Sequence, residues 1–222
     1  YEDTAPLFDA IFFSFDVLIS GIERSQPGAA LPEVGDALFV DDFSDPTSGL
    51  YGYDETDGWG YYDAKTKRYV YAPPAQPGAI YDYYLDAALP DSFALQISAS
   101  YTGTDNNAYG LIFQVMDDES FYLFRVSGDG YFLVEKSDAE GVTPLIDWTI
   151  ADGVAMEEGG ENVLTVVGQS GAYTLYINGA EVGSFSDDSY SGGSVGIVAD
   201  AYDPDAPASF FFDDLVVYEL AE

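Results

Sequence analysis

The chain has 222 residues, and 47% of them are hydrophobic, with 19 Tyr and 15 Phe. This is enough apolar material to fill one large β domain, and it excludes a disordered chain. The 40 Asp and Glu residues face only 6 Lys and Arg, and the resulting formal charge of −34 repels nucleic acid and anionic lipid. The absence of Cys and His excludes disulfides, thiol nucleophiles, zinc sites and His-based triads.

The N-terminal 25 residues contain a mostly apolar segment, which Asp9 and Asp16 interrupt. It is too short for a membrane span, and two carboxylates in its middle would be costly in lipid. Its pattern fits either an amphipathic helix or an extended strand. Because a contiguous apolar surface is unstable in water, we expect this arm (residues 1–25) to dock on its own domain or on another copy. The side chains predicted to make this contact are Leu7, Phe8, Ile11, Phe12, Phe13, Phe15, Val17, Leu18, Ile19 and Ile22.

Residues 26–37 are rich in Pro, Gly and Ala and are predicted to form a linker, and residues 38–222 are predicted to form the folded domain. Residues 92–101 alternate apolar and polar, which predicts a half-buried strand. Asn178-Gly179 is the strongest short hairpin signal in the chain. Strand patterns joined by short turns also occur at residues 60–63, 68–71, 80–85, 108–115, 120–126, 131–136, 145–150, 163–167, 173–177, 182–185, 194–199 and 210–218. The fold class predicted from these patterns is all-β, an antiparallel sandwich of two sheets with an N-terminal apolar arm.

Six short motifs in a fixed order resemble the concanavalin A-like lectin/glucanase superfamily. They are DDFSDP at 41–46, YGLIF at 109–113, FYLF at 121–124, LYING at 175–179, VGI at 195–197 and FDDL at 212–215. More narrowly, the chain is similar to the laminin-G-like and keto-disaccharide-hydrolase-like modules of bacterial surface proteins over residues 38–220. The resemblance implies a jelly-roll sandwich whose functions range from hydrolysis to lectin binding to scaffolding.

Catalysis is the least favoured of these functions. Glucanases of the superfamily carry three carboxylates on one strand, in the pattern Glu-x-Asp-x-x-Glu. The nearest string here, residues 135–140, has another spacing and falls in a predicted turn. We therefore predict that the protein is not an enzyme.

A structural calcium ion is implied by the resemblance, because such an ion often joins the first strand to the last in this superfamily. Asp213 matches the ligand position on the final strand. Asp41, Asp42 and Asp45 would lie near it if the two end strands pair, and hard cations bind several oxygens. The alternative is that these acidic side chains only protect a sheet edge from aggregation.

Sugar binding needs exposed aromatic rings beside polar groups. Trp59, Tyr61, Tyr83 and Tyr84 lie in aromatic stretches of this kind, although sandwich packing explains them equally well. Trp148 lies in an otherwise apolar strand, and we interpret it as a core residue.

The function predicted from the sequence is that of a non-catalytic, extracellular or cell-surface structural subunit. Its arm would drive assembly of copies of the same chain, because a head-to-tail contact produces a filament. The alternative is a carbohydrate-binding module with glycan partners, and a glycoside hydrolase comes third. The Lys-poor, Tyr-rich composition favours the extracellular location, and the lack of a signal peptide is interpreted as a mature form.

Overall fold

The computed structural model describes residues 32–47, 49–51, 59–73, 78–203 and 205–220. These residues form an antiparallel sandwich of two β-sheets, so the predicted all-β fold is confirmed. The arm and most of the predicted linker lie outside the described residues. The strands are β1 (Val34–Asp41), β2 (Leu50–Tyr51), β3 (Gly60–Asp63), β4 (Arg68–Tyr71), β5 (Ile80–Tyr84), β6 (Ser92–Thr102), β7 (Ala108–Val115), β8 (Phe121–Ser127), β9 (Tyr131–Asp138), β10 (Gly141–Ile150), β11 (Asn162–Gln169), β12 (Ala172–Ile177), β13 (Ala180–Ser186), β14 (Ser194–Asp200) and β15 (Ser209–Leu220).

The two sheets differ in the number and the order of their strands. The eight-stranded sheet has the order β13-β12-β11-β6-β15-β4-β3, and β1 also pairs with β15. The seven-stranded sheet has the order β10-β9-β8-β7-β14-β5-β2. The chain crosses repeatedly between the sheets, so both depend on strands from distant parts of the sequence.

Strand alternation fills the space between the sheets with aromatic and aliphatic side chains. On β8, Tyr122, Phe124 and Val126 belong to the core, whereas Phe121 and Leu123 lie in a separate cluster on the outer face of the seven-stranded sheet. On β6, Phe93, Leu95, Ile97, Ala99 and Tyr101 point into the core as predicted.

The prediction that β6 is half-buried is wrong. Its polar side chains, among them Gln96, Ser98 and Ser100, are also buried. The strand lies between β11 and β15, and side chains of these neighbours, such as Val216 and Tyr218, pack beside Ala94 and cover the face of β6 that points away from the core.

The first described strand pairs with the last. Asp41 lies opposite Leu215 in the antiparallel pair of β1 and β15. β1 already begins at Val34, so the sandwich extends into the segment predicted as a linker. Pairing of the two end strands was the condition for the predicted calcium ligands to lie together.

The predicted hairpin at Asn178-Gly179 joins β12 to β13. Both residues have positive φ, 51° for Asn178 and 77° for Gly179. These are the angles that a type I′ turn requires, so this local prediction is confirmed in its geometry as well as its position.

Candidate functional site

A cleft of about 340 Å³ opens on the outer face of the seven-stranded sheet. Aromatic rings and polar side chains line it together, which is the composition expected of a ligand pocket. We call it the aromatic cleft. Its lining residues are Asn106, Ser127, Asp129, Tyr131, Trp148 and Tyr202.

Three of the lining residues, Ser127, Tyr131 and Trp148, lie on the neighbouring strands β8, β9 and β10. β8 ends at Ser127, a tight turn follows, and β9 begins at Tyr131. Gly130 in this turn has φ of 89°, a backbone conformation that favours glycine. A Cβ there would lie 2.9 Å from the sulfur of Met156, a side chain that is itself 56% exposed. On the edge strand β10, Ile150 pairs with Tyr131, which brings Trp148 beside the same end of β9.

Asn107 ties together the loops that form the rest of the cleft. Its side chain is buried, and its Oδ1 accepts a hydrogen bond from the backbone N–H of Tyr202 at 3.1 Å. Its backbone carbonyl accepts one from Gly128 at 3.2 Å. Through its side chain and its backbone, Asn107 thus connects the loop before β7, the β8–β9 turn and the loop after β14.

The polar wall is held by short-range hydrogen bonds. The hydroxyl of Ser127 donates to the carboxylate of Asp129, and it accepts the backbone N–H of Tyr131 at 3.3 Å. Among the described lining residues, Asp129 is the one carboxylate. The arrangement offers hydrogen bonds and flat apolar faces to a ligand.

Trp148 is 39% exposed and lines the cleft, so the prediction that it is a core residue is wrong. β10 is the edge strand of its sheet, and most of its residues are exposed. Its pairing with β9 shifts register twice, once between Pro144 and Ile146 and again between Ile146 and Thr149. These irregularities break the strict alternation on which a sequence pattern depends.

A buried ion-pair network borders the cleft. Nη1 of Arg125 lies 2.9 Å from Oδ2 of Asp200, and its Nη2 contacts the carboxylate of Glu135. The cation is therefore already neutralised by two carboxylates. Burial raises the pKa of Tyr202, and the charge of Asp200 raises it further, so this cleft residue is a neutral phenol at physiological pH.

The four aromatic residues predicted as a sugar platform do not share one surface. Tyr61 is 45% exposed on β3, in the eight-stranded sheet. Tyr83 and Tyr84 are buried on β5, in the other sheet, and Tyr84 belongs to the core. Trp59 is half-buried just before β3.

The four aspartates predicted as calcium ligands are held by local contacts. Asp41 accepts the N–H of Phe43 at 2.7 Å and the hydroxyl of Tyr84. Asp42 and Asp45 accept backbone N–H groups two residues further on, at 3.0 and 2.9 Å. Asp213 lies 3.4 Å from Nε of Arg68. In the described part of the chain, no group of three or more acidic, His or Cys side chains that could hold a metal ion is found, and the calcium ion stays a prediction.

Sequence reasoning missed Asn106, Ser127, Asp129, Tyr131 and Tyr202. The short turn between the predicted strands at residues 120–126 and 131–136 indicates by itself only a hairpin connection. The sequence does place aromatic residues beside this turn, since Tyr131 and Phe132 follow it directly. What the sequence does not contain is the meeting of this turn with residues 106 and 202, which depends on the sheet order.

No family model and no curated protein sequence matches the chain. Solved structures do resemble it. The carbohydrate binding module CBM66 from Bacillus subtilis is 14% identical with a TM-score of 0.55, and the match covers 68% of this chain and 86% of that one. A Bacillus subtilis protein of unknown function with a galectin-like fold is 10% identical with a TM-score of 0.59, covering 86% and 100%. The K247S mutant of the GH43 protein BlXynB from Bacillus licheniformis is 14% identical with a TM-score of 0.63, covering 85% of this chain and 41% of that one.

At these identities the likeness concerns the fold alone. The present chain corresponds to less than half of the GH43 protein. These structures share the β-sandwich fold with the chain, and they do not single out the concanavalin A-like form that the sequence motifs resemble. None of the described residues belongs to a helix that is long and apolar enough to cross a membrane. The chain therefore shares the antiparallel β-sandwich fold of these solved structures, one of which is described as galectin-like.

Proposed function

We propose that the protein is a non-catalytic carbohydrate-binding module whose ligand enters the aromatic cleft. The observation that carries this proposal is the exposed ring of Trp148 beside Tyr131 and a polar wall, in a cleft of about 340 Å³. An indole face supplies flat apolar area for a sugar ring, and neighbouring hydroxyl, amide and carboxylate groups supply directional hydrogen bonds. A carbohydrate binding module among the structural neighbours supports the same function.

The absence of catalysis is part of this proposal. Glycoside hydrolysis uses two carboxyl groups on opposite sides of the bond that is cleaved. Asp129 has no second carboxylate among the described residues of the lining, and the nearby Asp200 and Glu135 are bound to Arg125. We also propose an extracellular location, which suits a glycan ligand and the Lys-poor composition.

The cleft is tested by replacing Trp148 with alanine. We expect Trp148→Ala to weaken binding to soluble polysaccharide by at least about tenfold, because the stacking surface is lost at an exposed site. Affinity gel electrophoresis and calorimetry measure the affinity, and circular dichroism verifies the fold.

Trp59 provides the matched control, because the chain has only two tryptophans. Trp59→Ala should leave the affinity unchanged. If Trp59→Ala abolishes binding and Trp148→Ala does not, the ligand binds near the platform predicted from the sequence and the cleft proposal is wrong.

Self-assembly through the arm is a separate proposal. Its basis is the apolar sequence of residues 7–22, which lies outside the described residues. Carbohydrate binding on the sheet face does not depend on it.

A further inference from the structure

A second concavity lies on the same outer face as the aromatic cleft. This groove has a volume of about 470 Å³, and its apolar lining includes Tyr81, Phe121, Leu123 and Val142. The rings of Tyr81 and Phe121 pack with their centroids 4.8 Å apart. The Tyr81 hydroxyl donates to the backbone carbonyl of Asp118 at 2.5 Å, so the aromatic wall of the groove is fixed in place.

The same three strands form the groove and the cleft, at opposite ends. β8 contributes Phe121 to the groove and Ser127 to the cleft. Likewise, β9 contributes Ser137 and Tyr131, and β10 contributes Val142 and Trp148. On β8 and β9 each pair is six residues apart in the sequence, an even number, as expected for side chains on one face of a strand. On β10, where two register shifts interrupt the alternation, the linings of the two concavities place Val142 and Trp148 on this face. At about 3.3 Å per residue, the two concavities are roughly 20 Å apart.

The floor between them is level. Arg125 on β8 and its pairing partner Leu133 on β9 lie between the two concavities, and both are buried rather than projecting. The ion pairs to Asp200 and Glu135 hold Arg125 down against the sheet. Its Nε is buried without a hydrogen-bond partner in the described part of the chain, so one donor in the middle of the floor is unused.

The charges on this face select against anions. Asp129 lines the cleft, and Asp118, Glu119, Asp138 and Glu140 line the groove. Arg125 on this face is already paired as above, and Lys136 near the end of β9 pairs with Asp138 at 3.7 Å. A uronate or sulfated chain would therefore meet uncompensated like charge, on a protein whose formal charge is −34.

We infer that the outer face of the seven-stranded sheet binds an uncharged polysaccharide along its length, with the cleft and the groove as the two ends of one extended site. This inference rests on the proposed carbohydrate-binding function. It makes a chain, and not a single terminal sugar, the full ligand. Affinity then rises with oligosaccharide length until the ligand spans both concavities, because contacts at the second end add to those at the first.

The test compares soluble neutral polysaccharides (xylan, mixed-linkage β-glucan, fructan and galactan) with polygalacturonate and alginate. Oligosaccharides of increasing length are prepared from the neutral polymer that binds best, and calorimetry measures their affinities. Val142→Asp places a charge in the groove at a side chain that is 57% exposed, so the fold is expected to tolerate it. Leu38→Asp on β1 is the matched control, because Leu38 is 49% exposed on the other sheet.

We expect Val142→Asp to weaken binding of the long oligosaccharides by about tenfold or more. Binding of the shortest ones should be unchanged, and Leu38→Asp should have no effect on either. If Trp148→Ala abolishes binding but Val142→Asp leaves long-chain affinity intact, the extended site is wrong and the cleft stands. If neither variant alters a measurable affinity, both proposals fail. Polygalacturonate or alginate that binds as tightly as the neutral polymers would overturn the uncharged ligand class.

Discussion

Asp82 is an acidic side chain in the interior of the sandwich. It is 1% exposed, and its Oδ2 accepts a hydrogen bond from the Tyr69 hydroxyl at 3.0 Å. Its Oδ1 has no hydrogen-bond partner in the described part of the chain. Burial raises the pKa of Asp82 from 3.8 to about 6, and the hydrogen bond from Tyr69 offsets only part of this effect. The folded protein therefore prefers the protonated carboxyl.

This preference predicts a pH-dependent loss of stability. Because the pKa is higher in the folded state, the contribution of Asp82 is fully favourable below pH 3.8 and is lost as the pH rises through about 6. A shift of roughly two pH units corresponds to about 3 kcal/mol. Asp82→Asn keeps an acceptor for Tyr69 and removes the charge. We expect it to raise the free energy of unfolding at pH 7–8 by an amount of this order, measured by denaturant titration.

The difference between Asp82→Asn and the native protein should shrink toward zero between pH 6 and pH 4. An exposed control, Asp152→Asn, subtracts the general effect of removing one negative charge. A variant that is less stable than the native protein at pH 8 would contradict the prediction, since it would mean that the ionised carboxylate makes favourable contacts.

Single residues also show which features could be predicted from the sequence and which could not. Asn178-Gly179 was predictable because a type I′ turn is a property of two adjacent residues. Trp148 was misassigned because its exposure depends on its place on an edge strand with two register shifts. The role of Asn107 was not predictable, since its partners lie about 20 and 95 positions away along the chain.

Among the described strands, β15 is the longest, and its hydrogen-bonded pairing with β6 is interrupted by a register shift. Its pairing with β6 shifts register between Asp213 and Val216, and Asp214 has φ of 49° at this point. Such a bulge bends the strand and lets one edge of β15 pair with β4 and then with β1. The pairing of the first and last described strands could be predicted from the resemblance. The bulge and its acidic pair could not be placed without the register.

The bulge also concentrates negative charge. Burial and the charge of Asp214 raise the pKa of Asp213 to about 7, and Arg68 offsets this only in part. Arg68 is shared with Glu161, whose Oε2 lies 2.7 Å from Nη2. Without a bound cation, the ionised form of Asp213 thus weakens the fold near and above neutral pH.

Asp213→Asn separates the two interpretations of this position. In chelator we expect the variant to have a higher melting temperature than the native protein at pH 8, because an unfavourable charge is removed. The advantage should disappear as the pH falls below about 4, where Asp213 is protonated in both the folded and unfolded states. Differential scanning calorimetry measures both conditions.

If Asp213 binds calcium, the native protein is expected to have the higher melting temperature when calcium is present. A cation that binds only the native state stabilises it by about 2.7 kcal/mol at a hundredfold excess over its Kd. If calcium at fixed ionic strength raises the melting temperature of the native protein above that of Asp213→Asn, the position is the ion site that the resemblance implies. An Asp188→Asn variant, altered at an exposed position away from β15, controls for nonspecific charge screening.

At the scale of the whole molecule, the described residues form one sandwich around a single main core, and its first strand pairs with its last. β1 joins the eight-stranded sheet from Val34 onward, and its Phe39 packs against the core. The core cluster is formed by residues from Phe43 to Val217, with both sheets contributing. Nothing in this arrangement requires residues 1–24 for its completion. The arm was predicted from its own apolar sequence, and its docking place remains a prediction.

Deletion of residues 1–24 tests this arm. We expect the truncated chain to keep its β-sheet circular dichroism and the melting temperature of the full chain, because the core of the sandwich is intact. If the arm joins copies of the chain, the full-length protein should form larger species as its concentration rises, and the truncated one should sediment as a monomer at every concentration. A full-length chain with Phe12→Asp and Phe13→Asp is the matched control, since it keeps the length of the arm and removes two of its apolar side chains. A truncated chain that unfolds, beside a full-length protein that stays monomeric, would mean that the arm belongs to the core of its own sandwich and does not join copies of the chain.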